Sequence, residues 1–111
     1  MTFTELKSAD ELTTFMNDNS NGCIIAFSAT WCGPCKASKP RLVELAATSP
    51  LPIGYVADAE NDLEDFLDVF VQLSGFPTYI LFQDGEEKAR VQGVNFVELE
   101  KMIQDNAPPS G

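Results

Sequence analysis

The stretch Cys23-Ile24-Ile25-Ala26-Phe27-Ser28-Ala29-Thr30-Trp31-Cys32-Gly33-Pro34-Cys35 decides the reading of this chain. Its first part, Cys23 to Ala29, is an apolar extended run of the kind required by a central strand covered on both faces. Its last part sets two cysteines three residues apart, where that strand gives way to a helix predicted over Lys36 to Thr48. Sulfurs at this separation can close a disulfide and open it again. Cys32, at the mouth of the helix, is the candidate nucleophile. Unpaired backbone N–H groups and the positive end of the helix dipole stabilise its thiolate, pulling the thiol below the free value of about 8.5. Cys35, one turn further in, reads as the buried, protonated, resolving partner. Gly33 lets a substrate chain come close, and Pro34 gives up only an N–H that the first helical turn leaves unused. Lys36, Lys39 and Arg41 are three of the seven cations and fall within nine residues of Cys32. They are predicted to support the thiolate, with a solvated helix face as the plainer alternative.

Length and charge bound what can surround this site. A chain of 111 residues makes one domain, since roughly two thirds of its unfolded surface is buried and no second core fits. We read the domain as residues 1–107 and residues 108–111 as a frayed tail. The net charge of −10 argues against nucleic acid or an anionic membrane as partner and favours basic ones. No run approaches the ~20 apolar residues of a membrane span, and the first residues have neither a basic nor an apolar leader segment. The expectation is a soluble monomer in a reduced compartment, most simply the cytosol. Three cysteines make an odd count, unlike a secreted disulfide framework, and with no histidine they leave too few soft ligands for a closed zinc site. Cys23, between apolar neighbours, reads as an inert core thiol rather than a regulatory or dimer-forming one.

The rest of the chain supplies strands and helices in alternation. Ser8 and Glu11 form a predicted capping box ahead of Leu12, Phe15 and Met16 at helical spacing, and this first helix ends between Asn17 and Asn21. In the helix after the cysteines Pro40 removes a backbone donor, while Leu42, Val43, Leu45 and Ala46 are assigned to the buried side. Ile53 to Ala57 reads as a strand. Asp62 is placed as the cap of a third helix carrying Leu63, Phe66, Leu67, Phe70 and Val71. Thr78 to Phe82 and Lys88 to Gln92 flank Asp84-Gly85, a strong hairpin signal, and Asn95 with Glu98 starts a last helix with Phe96, Leu99, Met102 and Ile103 on one stripe. The resulting order, β-α-β-α-β-α-β-β-α, describes an α/β fold: a mixed central sheet of about five strands flanked by about four helices. The run Asp58 to Asp68 holds six acids, read either as a solvated helix face or as a docking face for a basic reductase or target.

Beyond these local signals, the chain resembles the thioredoxin family over nearly its whole length. Trp31-Cys32-Gly33-Pro34-Cys35-Lys36 matches the family signature. Pro40 sits where the family kinks its helix, Phe76-Pro77-Thr78 looks like its cis-proline loop, Asp84-Gly85 matches its hairpin, and Gly93 matches its groove glycine. The resemblance implies a thioredoxin fold and a protein-disulfide reductase working through a redox-active Cys32–Cys35 disulfide, with no bound metal or organic cofactor. It implies disulfide-containing protein substrates, recharging by a thioredoxin reductase, a cis bond at Pro77, and a shallow groove lined by Trp31, Phe76, Pro77 and Gly93. Two departures stand out. Six residues before Cys32 the family usually carries a buried aspartate that helps move the proton of the second cysteine, and this chain has Ala26. The strand Ile53 to Ala57 lacks the lysine that often accompanies that acid. Deleting a buried charge pair as a unit can leave stability unchanged, but resolution of a mixed disulfide is predicted to slow, or to use water or another group. A second reading stays open on that account: a binding or assembly module with little redox turnover.

Overall fold

The computed structural model describes residues 3–62 and 72–107. Its core is a five-stranded mixed sheet built from β1 (Phe3–Glu5), β2 (Cys23–Phe27), β3 (Ile53–Val56), β4 (Thr78–Gln83) and β5 (Glu86–Gln92), in the spatial order β1-β3-β2-β4-β5. β1, β3 and β2 run parallel, whereas β4 lies antiparallel to β2 and β5 antiparallel to β4. Between them come α1 (Ala9–Asp18), α2 (Gly33–Thr48), the short α3 (Ala59–Asp62) and, after β5, α4 (Phe96–Asn106).

Every residue of β2 is buried, as its unbroken apolar run requires of a central strand. Side chains alternate between two cores. Cys23, Ile25 and Phe27 join Leu12, Phe15 and Met16 of α1 on one face, and Ile24 and Ala26 join Leu42, Ala46, Leu99 and Ile103 of α2 and α4 on the other. β4 repeats the pattern, with Ile80 and Phe82 facing the first core and Tyr79 and Leu81 the second. The two-residue turn Asp84-Gly85 has both residues at positive φ (53° and 78°), the geometry that matches the twist of a hairpin.

Helix starts follow their caps. Ser8 Oγ accepts the Glu11 N–H at 3.1 Å, but Glu11 reaches back to the Lys7 N–H at 3.4 Å rather than to Ser8 itself, so the predicted box closes one residue early. Asn95 Oδ1 accepts the Glu98 N–H at 3.2 Å. α2 begins at Gly33, three residues ahead of the predicted start at Lys36, because Cys32 is itself the N-cap and Pro34 occupies the first turn, where its missing donor is not needed.

One expectation about helix packing is corrected. Val43, assigned to the buried side of α2, is 42% exposed, since Leu42 and Ala46 hold the sheet-facing stripe and Val43 lies one position off it. Helical backbone covers Ala59–Asp62, and Asp58 ahead of that turn takes the Asn61 amide at 3.1 Å on both carboxylate oxygens; the helix that Asp62 is expected to cap lies outside the described residues. The predicted helix positions Leu63, Phe66, Leu67, Phe70 and Val71 and the acids Glu64, Asp65 and Asp68 lie outside the described residues, as does the tail 108–111.

Candidate active site: a dithiol at the start of the second helix

β2 ends at Phe27, and the short connection through Ser28, Ala29 and Thr30 delivers Trp31 and Cys32 to the N-terminus of α2. Cys32 and Cys35 are joined in a disulfide with a Cα–Cα separation of 5.3 Å. The Cys35 backbone N–H also donates to Cys32 Sγ at 3.3 Å, so a free donor of the first helical turn points at the sulfur that carries negative charge in the reduced state. Cys32 Sγ lies 3.7 Å from the Phe76 carbonyl oxygen. Both cysteines are covered, Cys32 at 3% and Cys35 at 2% exposure, in a small cluster with Ala29 and Phe76. The sequence places Cys35 correctly in the interior but gives no hint that Cys32 is so nearly closed over, because the cover comes from a loop 44 residues away.

That loop is Gly75-Phe76-Pro77, and its Phe76–Pro77 bond is cis, as the resemblance implied. Thr78 Oγ1 donates to the Gly75 carbonyl at 2.7 Å, and the Gly93 N–H donates to the Pro77 carbonyl at 2.9 Å, tying the end of β5 to the loop. Gly93 sits at φ 80°, a backbone state that favours glycine, and a Cβ there would meet nothing within 4 Å. Trp31, 68% exposed, packs its ring edge-on against Phe76 with centroids 5.9 Å apart, and its indole N–H donates to the Glu60 carboxylate. Contacts thus link Trp31 to Phe76, Phe76 to Cys32, and Gly93 to Pro77. A Cβ at Gly33 would likewise find open space.

The cation trio separates. Lys39 pairs with Glu5 Oε1 at 2.8 Å and lies 4.8 Å from the centre of the Tyr55 ring, and Arg41 lies 4.5 Å from the centre of the Phe96 ring. Two of the three cations predicted to support the thiolate are thus engaged elsewhere, since seven and nine residues of helix carry their backbones roughly 10 and 13 Å along the axis from residue 32. The Lys39 ammonium, by its hydrogen bond and its charge, holds the Glu5 carboxyl below its ordinary value. Cys23 is free and buried, and burial pushes its thiol up to about 12. That is the inert core thiol expected from its neighbours.

Sequence reasoning missed what surrounds Ala26. In register, Ala26 stands between Tyr55 of β3 and Tyr79 of β4. Tyr55 Oη and Ser28 Oγ are hydrogen-bonded at 3.2 Å in the interior, and Ser38 Oγ donates to the Cys35 carbonyl at 3.2 Å. Burial raises the Tyr79 hydroxyl above its ordinary value, Ser38 opposes that rise, and nearby Tyr55 adds to it. The only sequence signal was that both tyrosines of the chain fall in predicted strands.

The sequence-family model described as Thioredoxin matches residues 3–105. The chain is 32% identical over 107 residues to thioredoxin-3, mitochondrial, of Saccharomyces cerevisiae, a match covering 93% of this chain and 81% of that one. It is 36% identical over 87 residues to thioredoxin-2 of Pyricularia oryzae, covering 78% of this chain but only half of that longer protein. Among solved structures, the crystal structure of Schistosoma mansoni thioredoxin superposes with a TM-score of 0.84 at 30% identity over 94% of both chains. Fasciola hepatica thioredoxin superposes with a TM-score of 0.80 at 28% identity, covering 93% of this chain and 98% of that one.

Proposed function

The chain belongs to the thioredoxin family, and on that premise we propose that it reduces disulfides in protein substrates, with Cys32 attacking and Cys35 resolving. The observation that carries this reading is the Cys32–Cys35 disulfide at the N-terminus of α2, with an N–H already aimed at Cys32 Sγ. In the reduced form the Cys32 thiolate attacks one sulfur of a substrate disulfide. The substrate S–S bond breaks, its leaving thiolate takes up a proton, and a mixed disulfide forms. Cys35 then loses its proton and attacks Cys32 Sγ, the second substrate sulfur leaves as a thiol after protonation, and the internal disulfide closes. Two electrons have passed to the substrate. The redox group is the disulfide itself, and a thioredoxin reductase restores the dithiol.

Trp31, Phe76, Pro77 and Gly93 present an open face to an extended substrate strand, and Gly33, Pro34 and Lys36 complete the motif around the sulfurs. The excess of negative charge favours basic partners over acidic ones. Residues 1–107 act as one domain in this reading, working as a monomer in the cytosol. Among the described residues no helix is long and apolar enough to cross a membrane.

The test is turnover of a soluble disulfide-bonded protein with dithiothreitol as reductant. The native chain turns over, Cys32→Ser is inactive, and Cys35→Ser stalls as a mixed disulfide on Cys32. Binding of the target that persists in Cys32→Ser and Cys35→Ser alike, with no turnover by the native chain, would establish the scaffold reading instead.

A further inference from the structure

The segment from Gln72 to Pro77, which ends in the loop over Cys32, has neither helical nor strand backbone, so no ladder of its own holds it in place. Side chains and backbone of the edge strand β5 do so instead. Arg90 Nη1 donates to the Gln72 carbonyl at 2.8 Å, the Gln92 side-chain amide donates to Ser74 Oγ, and the Gly93 N–H donates to the Pro77 carbonyl at 2.9 Å. Thr78 Oγ1, at the start of β4, holds the Gly75 carbonyl at 2.7 Å. Arg90 and Gln92 stand two residues apart, opposite Ile80 and Thr78 of β4, so both side chains leave the sheet on one face. Ile80 belongs to the core on that face, and Leu73 and Phe76 of the segment pack against the same core. The segment in turn sets the Phe76 carbonyl 3.7 Å from Cys32 Sγ and the Phe76 ring against Trp31. We propose that Arg90 and Gln92 are positioning residues for substrate binding: from the sheet edge they brace residues 72–77 and so hold the face beside Cys32 in the shape that an extended substrate strand meets.

The inference rests on the reductase reading. Arg90 commits Nε and Nη2 to the Glu87 carboxylate, at 2.6 and 2.7 Å, which fixes the guanidinium plane and leaves Nη1 directed at Gln72. Lys88, the other cation of β5, pairs with Glu86 at 2.9 Å and makes no bond to residues 72–77, so it serves as a control for charge on this edge. A segment fixed before the substrate arrives loses less freedom when it binds. The brace therefore acts on binding, and the exchange between sulfurs proceeds as before once the substrate is seated. Removing an interaction of that kind raises KM and leaves kcat unchanged.

The experiment compares the full native chain with Arg90→Met, which keeps an apolar stem, with Gln92→Ala, with the double variant, and with Lys88→Met. Amide hydrogen exchange at Gly93 reads the loop directly, because that N–H is bonded to Pro77. Losing one bracing hydrogen bond is expected to speed it by about two- to tenfold, beyond any change at the buried β2 amides that report global stability. Steady-state reduction of a disulfide-bonded protein with dithiothreitol is expected to show KM raised by about the same factor in each brace variant, more in the double variant, at unchanged kcat. Alkylation of reduced Cys32 by iodoacetamide, a reagent too small to need the groove, is not slowed, and Lys88→Met behaves as the native chain throughout. Unaltered KM or unaltered Gly93 exchange in the double variant overturns the inference and leaves the reductase reading standing, as does an equal rise of KM in Lys88→Met. A lower kcat at unaltered KM, or slowed alkylation, overturns it too, since the substitutions then act on the dithiol itself. A native chain that turns over no protein disulfide overturns the reductase reading and, with it, this role in substrate binding.

Discussion

Gly93 allows a matched experiment on the substrate groove. Its φ of 80° lies in the left-handed region, and a Cβ there would meet no atom of the described residues within 4 Å. Gly85, in the β4–β5 turn, has nearly the same φ of 78° and the same open surroundings. Alanine at either site suffers the left-handed penalty of about 1–2 kcal/mol, offset by about 0.4–1 kcal/mol from the smaller unfolded-state entropy. The net cost is about 1 kcal/mol at each site, a fall in Tm of about 4–8 °C for a domain near this size. Because neither methyl group meets any described residue, a further effect at one site alone is assigned to what occupies that space in a complex. Gly93 is tied by its N–H to the Pro77 carbonyl in the loop whose Phe76 carbonyl lies beside Cys32, whereas Gly85 sits in the hairpin turn. Calorimetry of both variants, with steady-state reduction of a disulfide-bonded protein, separates the two effects. The expected result is equal loss of stability and a raised KM for Gly93→Ala only. Equal Tm shifts with equal, unaltered KM would refute the groove assignment, and a much larger Tm loss at Gly93 would refute the strain argument.

Other consequences follow from burial and pairing. Cys23, pushed up to about 12, stays unlabelled by iodoacetamide near pH 8 in the folded reduced chain and reacts only on unfolding, which peptide mapping after a timed pulse will read. Arg90 grips Glu87 through two bonds of 2.6 and 2.7 Å and holds its carboxyl below the usual value, so this pair stabilises the fold above the ordinary carboxylate range. The contribution is lost as pH falls through the depressed value. Glu87→Gln is expected to remove that acid-side dependence and, with both side chains about a third exposed, to cost no more than about 1 kcal/mol in urea titrations at pH 7. Leu99→Ala, at a fully buried α4 position against β2 and α2, is expected to cost about 2–5 kcal/mol by the same titration, with the thiol chemistry of the folded protein unchanged.

Where the sequence was legible, a local physical signal sufficed. The apolar run from Cys23 fixed a central strand, Asp84-Gly85 fixed the hairpin, and Ser8 and Asn95 marked helix starts because a cap acts within three residues of itself. The dithiol was legible for the same reason, its spacing and its place at a strand-to-helix junction being local facts. Errors arose where the answer depended on direction in space. Val43 has the right residue type but lies off the buried stripe, and Lys39 and Arg41 are near Cys32 in number yet turn toward Glu5 and Phe96.

By itself, the order of residues determined the alternation of strands and helices, the pairing of Cys32 with Cys35, and the absence of a carboxylate at position 26. Those properties rest on spacing, backbone propensity and composition, which act along the chain. Only the tertiary structure decided how nearly a loop 44 residues away closes over Cys32, and that Ala26 stands between two buried tyrosines. Those facts come from strand order and register. Register depends on which faces can be buried together, and no single segment carries that information alone.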